Sequence, residues 1–493
     1  MNTSVQLKLN SQVYRDKLYA CWIGKNIGGT MGGPYEGKKE ILDIRGFSTQ
    51  PGEVLPNDDL DLQLVWLHAV ESIGARAVDC KTLGEFWLSL IPPHWNEYGI
   101  GKANMQMGLL PPLAGDYRNP WKNSNGAWIR TEIWASMAPA CPALAAKYAI
   151  EDAKVDHGSG EGTYAAAFVA AMQAAAFVLS DLRCCVELGL QSIPASCRVA
   201  DSIRLVLDSY DSGKTAIETR NLVLERNMDI GDGWFEAPSN IAYTVLGLMY
   251  GEGDFKKSMI TAINCGDDTD CTAATVGATL GILGGTAAIP TDWSAYIGDA
   301  IITRSINESY LGYYRIPKTC TELTDRVMTQ APHVLFENDA PVALTDGKSE
   351  LPDDVHAFLL SQCETIARMS TVEPYSMHFD GGVFDVDVVL GGAPEISPMG
   401  EIEVDVVLTN NVYVYDRAYY NVHPRWWLPD GFTVEGSTGT LFLPYNSRRH
   451  TAKCHYHVML RAGEQVGVSN RCVLELSIEG RALPVYIPIT LLG

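Results

Sequence analysis

The period of the hydrophobic pattern changes once along this chain, and this change limits the folds that it can adopt. From about Arg15 to Thr329, apolar residues recur every three to four positions, as in LDLQLVWLHAVESIGARA at 60–77, which predicts amphipathic helices. Beyond about Tyr375, apolar and polar residues alternate in seven short runs separated by turn residues, which predicts strands. The sequence therefore predicts a mainly α protein, in which an all-α bundle is followed by a β-sandwich.

The same change sets the expected domain limits. We expect a helical domain over residues 1–340 and a β-sandwich over residues 378–493. Between them, residues 341–377 read as a linker that contains one helix, within PDDVHAFLLSQCETIARM. A chain of 493 residues is long enough for two or three domains that each bury a core.

The charge balance limits the classes of partner. There are 37 basic and 59 acidic residues, a formal net charge of −22, which disfavours binding to nucleic acid and to anionic membranes. No stretch has the length and apolarity of a signal peptide or a membrane helix. The 12 cysteines form no CxxC pair, so we expect mostly buried, reduced thiols. These features predict a soluble, cytoplasmic protein, and they leave homo-oligomer formation open.

Two acidic clusters stand directly before predicted helices. They consist of Asp58, Asp59 and Asp61, and of Asp267, Asp268 and Asp270. The second precedes TAATVGATLGILGG at 272–285, whose small residues permit close helix packing. A carboxylate there can cap a helix, but one cap needs one carboxylate, and neighbouring carboxylates repel each other. A bound cation removes this conflict, and oxygen ligands favour Mg²⁺, Mn²⁺ or Ca²⁺ over zinc. Two clusters on neighbouring helices could hold two ions.

Two glycine-rich segments complete the pattern. GKNIGGTMGGPYEG includes Tyr35 and Glu36 and lacks the Lys and Ser/Thr of a P-loop. DHGSGEGTYAAA places His157 before an alanine-rich helix, where glycines would let a ligand approach the backbone. Taken alone, His157 is more often explained as a hydrogen-bonded structural histidine and Glu36 as a surface charge.

The order of these four motifs resembles the ADP-ribosylglycohydrolase family, which includes the glycohydrolase that reactivates dinitrogenase reductase. The resemblance covers roughly residues 15–330. The late motif is the most specific: the family has Gly-Gly-Asp-Thr-Asp-Thr where this chain has GDDTDC at 266–271. The early family motif is Thr-Asp-Asp-Thr, and this chain has NDDL at 57–60.

The resemblance implies a site with two divalent ions, Mg²⁺ or Mn²⁺, and a set of residues for it. The implied metal ligands are Asn57, Asp58, Asp59, Asp268, Asp270 and Cys271. The implied catalytic residues are Glu36 and Asp59, and the implied substrate-binding residues are Tyr35, Glu132, His157, Ser159 and Gly162. Asn57 and Cys271 replace ligating threonines of the family, and a thiol suits Mg²⁺ badly. Trp128 and Trp134 are either core residues or stacking partners for a base or sugar ring.

The resemblance also implies the chemistry, the metal-assisted hydrolysis of a ribosyl glycosidic bond. The expected substrate is an ADP-ribosyl group on a small molecule or on a protein. Two alternatives keep the fold: a hydrolase of another pentofuranoside or nucleoside-like glycoside, and a non-catalytic ADP-ribose-binding module. The four retained aspartates argue against the second. A magnesium-dependent prenyl-diphosphate enzyme also uses Asp clusters, but no Lys or Arg flanks these ones in the sequence.

Overall fold

The structure is a computed structural model, and it describes residues 5–231, 233–367, 371–412, 418–437 and 439–493. The chain divides into two compact units. The first comprises Met1–Gly99 and Pro120–Thr371, and the second comprises Ile100–Asn119 and Val372–Gly493.

The helices lie almost entirely in the first unit. In chain order they are α1 Ser11–Gly32, α2 Asp58–Ile73, α3 Cys80–Leu90, α4 Asn96–Gln106, α5 Leu113–Asp116, α6 Glu132–Met137, α7 Pro142–Ala153, α8 Glu161–Ala176, α9 Leu182–Gln191, α10 Arg198–Asp211, α11 Ala216–Arg226, α12 Ala237–Gly251, α13 Phe255–Ile263, α14 Thr269–Gly284, α15 Thr291–Ile297, α16 Cys320–Glu337 and α17 Val355–Ala367. The predicted all-α bundle is confirmed.

The closest helix contact joins α1 to α14. A Cβ atom on Gly24 would lie 2.1 Å from the carbonyl oxygen of Gly277, and one on Gly28 would lie 2.3 Å from the backbone of Ala273. Only glycine lets the two backbones approach so closely. Helix α14 is buried almost along its whole length, as its uniformly small and apolar sequence predicts.

The strands form a small parallel pair and two antiparallel sheets. They are β1 Leu7–Asn10, β2 Val342–Thr345, β3 Ser376–Asp380, β4 Phe384–Leu390, β5 Glu401–Asn410, β6 Tyr420–Trp427, β7 Thr433–Gly436, β8 Leu441–Leu443, β9 Lys453–Arg461, β10 Ser469–Ile478 and β11 Val485–Leu492. One sheet has the order β11-β10-β6-β8 and the other β3-β4-β5-β9-β7. The expected C-terminal β-sandwich is confirmed.

The β-sandwich has two strands that its sequence pattern did not predict. β3 and β7 are edge strands of the five-stranded sheet, and their five and four residues are too few for a clear alternation. The predicted strand over 413–422 falls partly on residues 413–417, which lie outside the described residues. In β5, alternate residues face inward from Ile402 to Leu408, whereas Asp405 faces outward and bonds to His457 at 2.7 Å.

The segment expected to be a linker takes part in regular structure. β2 pairs in parallel with β1, from Leu7 opposite Val342 to Asn10 opposite Thr345. Helix α17 is the one predicted helix, and contacts assign the chain up to Thr371 to the first unit. The second unit also takes residues 100–119 from early in the chain, through a bond from Tyr117 to Glu395 at 2.6 Å.

Two further expectations concern membranes and cysteines. In the described part of the chain, no helix combines the length and apolarity needed to cross a lipid bilayer. All cysteines in that part are free thiols, and all but Cys184 and Cys454 are buried. This agrees with the reduced, buried cysteines predicted from the sequence.

The limits at residues 340 and 378 stay a prediction, which limited proteolysis can check. We expect the first cleavage between α17 and β3, and we expect both fragments to co-elute from a sizing column. Co-elution is expected because residues 100–119 of the larger fragment pack within the second unit. Fragments that separate without denaturant, or cleavages spread evenly along the chain, would contradict this division.

Candidate active site

The two acidic clusters meet at a cavity of about 470 Å³ in the first unit. This volume is in the range of small-molecule sites. Six of the residues predicted from the sequence line it: Glu36, Asn57, Asp58, Asp268, Asp270 and Cys271. The cavity lies where α2 and α14 begin, so the positive ends of both helix dipoles meet there.

At the start of α14, the carboxylates are not used as helix caps. Asp268 is the N-cap residue, but its side chain makes no capping hydrogen bond. Its Oδ2 instead accepts a hydrogen bond from the side-chain amide of Asn125 at 2.6 Å. The Oδ1 atoms of Asp268 and Asp270 are buried and have no hydrogen-bond donor among the described residues. Buried acceptors are rarely left unpaired, so these two oxygens are suited to a ligand that the protein itself does not supply.

Glu36 completes this group of carboxylates. One oxygen from each of Glu36, Asp268 and Asp270 lies within 4.8 Å of the others. Although the Glu36 residue is exposed, its carboxyl lines the cavity. Partial burial, together with the charges of Asp268 and Asp58, raises the pKa of Glu36 to about 7.

At the start of α2, the acidic residues have distinct partners. Asn57 caps the helix, because its Oδ1 accepts from the Asp59 backbone N–H at 2.8 Å. Asp58 accepts from the Tyr98 hydroxyl at 3.0 Å. Asp61 accepts from the backbone N–H groups of residues 304 and 305, so its role is structural.

Asp59 lies beneath the cavity, with both carboxylate oxygens engaged. Its Oδ2 is 3.4 Å from the Lys25 ammonium, and its Oδ1 accepts from the Cys271 thiol at 3.2 Å. Burial raises the pKa of Cys271 well above its usual value, and Asp268 and Asp270 raise it further. Asp59, Asp270 and Cys271 form a second group of close ligand atoms.

Lys25 links Asp59 to Glu132 and the core. Its Nζ donates to the Ile129 carbonyl at 2.6 Å and pairs with Glu132 at 3.1 Å. Burial would lower the pKa of Lys25, but Glu132 and Asp59 outweigh this effect and raise it. Gln63 also donates to Glu132, at 2.9 Å. Glu132, which was predicted to contact the substrate, is therefore placed in the core.

Other predicted substrate-binding residues lie outside the cavity lining. His157 is fully buried between Asp156, at 2.8 Å, and Ser124, at 3.4 Å. A Cβ on Gly162 would meet the His157 ring at 2.1 Å, so Gly162 serves packing. Tyr35 and Ser159 are half-buried and are not brought to the cavity.

Of the two readings left open for Trp128 and Trp134, core packing is the one that the structure shows. Trp128 is fully buried and donates to Asn125 at 2.9 Å, which orients the amide that bonds Asp268. Trp134 is fully buried and donates to Asp152 at 3.0 Å.

Several functional candidates were missed from the sequence. Those in contact with the carboxylates are Lys25, Tyr98 and Asn125, and further cavity-lining residues include Trp95, Phe235 and Arg304. A lysine inside the largely apolar WIGKNIG segment was a usable signal for Lys25, since lysines are seldom buried without a partner. The others come from loops and helix starts that carry no periodic pattern.

Of the two groups of close ligand atoms, the one formed by Glu36, Asp268 and Asp270 suits a hard divalent cation better. Glu36, Asp268 and Asp270 offer only carboxylate oxygens, two of them without donors, as Mg²⁺ or Mn²⁺ prefers. The group with Cys271 shares Asp270 with the first, and it adds only a thiol bonded to Asp59 and the Asp59 carboxylate, which is paired to the Lys25 ammonium.

A scan against family models matches residues 10–330 to the ADP-ribosylglycohydrolase family. The match covers more than half of the chain, and the chain belongs to this family, as its motifs predicted. The family implies a hydrolase of glycosidic bonds in general, is typically metal-dependent, and suggests a ribosyl substrate.

One solved structure, titled "ADP-ribosylglycohydrolase-related protein complex", is similar at 19% identity, over 66% of this chain and 99% of that chain, with a TM-score of 0.39. This similarity is too low for conclusions about this chain. A search of curated proteins gives no match.

A buried ion-pair cluster supports one wall of the site, and its removal gives a stability prediction. Arg130 is fully buried and pairs with Asp152 at 2.9 Å and Asp156 at 2.8 Å. Arg130→Gln leaves two buried carboxylates without their cation, so we expect a loss of about 3–5 kcal/mol in the free energy of unfolding.

Urea denaturation followed by circular dichroism would measure this loss. The matched control is Arg183→Gln, which breaks more exposed pairs with Glu187 and Asp211 and should change stability far less. Equal losses in the two variants would contradict the structural role of Arg130.

Proposed function

We propose that this protein hydrolyses a ribosyl glycosidic bond, most specifically that of an ADP-ribosyl group, with a divalent cation held by the carboxylates of the cavity. The observation that carries the proposal is the pair of buried, donor-free oxygens on Asp268 and Asp270, facing Glu36. Buried acceptors without a donor are uncommon, and these two lie close to the Glu36 carboxylate, where one cation could bind all three residues. A non-catalytic binding module would not require this arrangement.

The residues around the cavity have separate tasks in this proposal. A bound Mg²⁺ or Mn²⁺ supplies Lewis-acid help and orients the ribose hydroxyls. The Glu36 carboxylate, which lines the cavity, can take a proton from the attacking water or return one to the leaving group. Trp95 is 47% exposed and lines the cavity, where its ring can stack on a base or sugar. Asp59, beneath the cavity, orients Lys25 and Cys271, with which it is in contact.

The second candidate, a smaller pentofuranoside, is favoured by the charge of the cavity. Among the described residues that line it, Arg304 is the one basic side chain, and a diphosphate is usually bound by several cations or N–H groups. A substrate without phosphates needs none. Both candidates use the same carboxylates and the same hydrolysis.

Metal binding is tested with a matched pair of substitutions. Asp268→Asn keeps the size of the side chain and removes a charge from the group of carboxylates, so Mn²⁺ affinity and turnover should fall together, by tenfold or more. Asp267→Asn is the control, because Asp267 lies off the cavity, pairs with Lys39 at 3.9 Å and has a φ of 66° that Asn also tolerates.

Calorimetric titration with Mn²⁺, combined with circular dichroism to verify the fold, would give both affinities. We expect near wild-type affinity for Asp267→Asn. If wild type and both variants bind Mn²⁺ equally, the carboxylates are not metal ligands and the proposal falls.

The substrate class is tested with a panel of compounds and an arginine variant. Hydrolysis of ADP-ribosylated protein, ADP-ribose conjugates and simple pentofuranosides should be measured in wild type and in Arg304→Gln. If the substrate carries a diphosphate, the variant should raise KM about tenfold, the loss of one charge-assisted hydrogen bond, and leave kcat near its original value. Turnover of pentofuranosides alone, unaffected by Arg304→Gln, would favour the second candidate.

A further inference from the structure

We propose that the Lys25 ammonium takes the place of a second metal ion, so that each chain binds one divalent cation instead of the two implied by its motifs. This inference rests on the proposed function, because it concerns the same metal site. It assigns a task to a residue that the family motifs do not include.

The surroundings of Lys25 require a cation at this position. Three acceptor oxygens lie within 3.4 Å of its Nζ: those of Ile129, Glu132 and Asp59. A neutral amine has only two N–H groups, whereas an ammonium has three, one for each acceptor. The side chain is 1% exposed, so water does not compete for these bonds.

The Lys25 ammonium is directed at the carboxylate that a second ion would need. One carboxylate oxygen of Asp59 lies beside Lys25, and the other accepts a hydrogen bond from the Cys271 thiol. The carbonyl oxygen of Asn57, another implied ligand, already accepts the Asp59 backbone N–H. A second ion would have to replace the hydrogen bond between Cys271 and Asp59 and lie close to the Lys25 ammonium, and both requirements oppose binding.

The other carboxylate group shows the opposite arrangement. Asp268 and Asp270 each present a buried oxygen without a donor, and Glu36 lies within reach of both. Asp270 belongs to both groups. An ion held there leaves Asp59 and Cys271 as the remaining members of the second group, and Asp58 already accepts from the Tyr98 hydroxyl. One divalent ion therefore neutralises the group of Glu36, Asp268 and Asp270, and the Lys25 ammonium neutralises Asp59 in the other group.

The test counts Mn²⁺ ions per chain in the full-length protein by calorimetry and by electron paramagnetic resonance. Wild type should bind one equivalent and give the spectrum of an isolated ion. The variant Lys25→Met with Glu132→Gln removes the buried cation together with its partner anion, which keeps the charge balanced, and it should bind a second equivalent and give an exchange-coupled spectrum. Lys17→Met on the same helix, where Lys17 donates to the Ala176 carbonyl, should still bind one.

Each outcome decides a different point. Two equivalents in wild type, or one equivalent in a folded double variant, overturns the role of Lys25. If the double variant does not fold, the wild-type count and spectrum decide alone. If wild type binds no Mn²⁺, the metal requirement of the proposed function is wrong. This result differs from binding two equivalents, which contradicts only the role proposed for Lys25.

Discussion

The site depends on the backbone contact between α1 and α14. Gly24 and Gly28 let the two helices approach until a Cβ atom would overlap the opposite backbone. This contact sets the position of Lys25, one residue after Gly24, relative to the first turn of α14. It also carries the chain that follows α1, with Glu36, to Asp268 and Asp270. A side chain at either glycine would separate the helices and, with them, the two halves of the carboxylate group.

The site concentrates negative charge in a buried place, and the protein offsets this charge by several means. Asp61 receives two backbone N–H groups, Asp58 receives a tyrosine hydroxyl, and Asp59 faces an ammonium. Asp268 receives only an amide on one oxygen, and Asp270 has an oxygen without a donor. Asp61 also keeps one buried oxygen without a donor. Compensation is incomplete at Asp268 and Asp270, which line the cavity together with Glu36, as expected of a cation site.

The sequence predicted the secondary-structure elements better than it predicted which distant residues are in contact. Hydrophobic period located the helices and the longer strands, because period reports which face of an element is buried. It does not report which distant residues meet, so Lys25 and Tyr98 were missed although both contact the acidic clusters. The glycine-rich surroundings of His157 suggested ligand binding, but the structure uses them for close packing around the ring. Asp58 and Asp268 line one cavity. Their motifs were recognisable in the sequence because each stands at the start of a helix.

The assignment of residues 100–119 to the second unit has a consequence for synthesis of the chain. Leu109 and Leu113 are almost fully buried there, and Tyr117 bonds to Glu395, yet the rest of this unit begins only at Val372. At ribosomal speeds of about 5–20 residues per second, the segment waits for tens of seconds before that part emerges. During that interval its leucines are exposed to chaperones, and the first unit can complete its own core before the rest of the second unit has been synthesised.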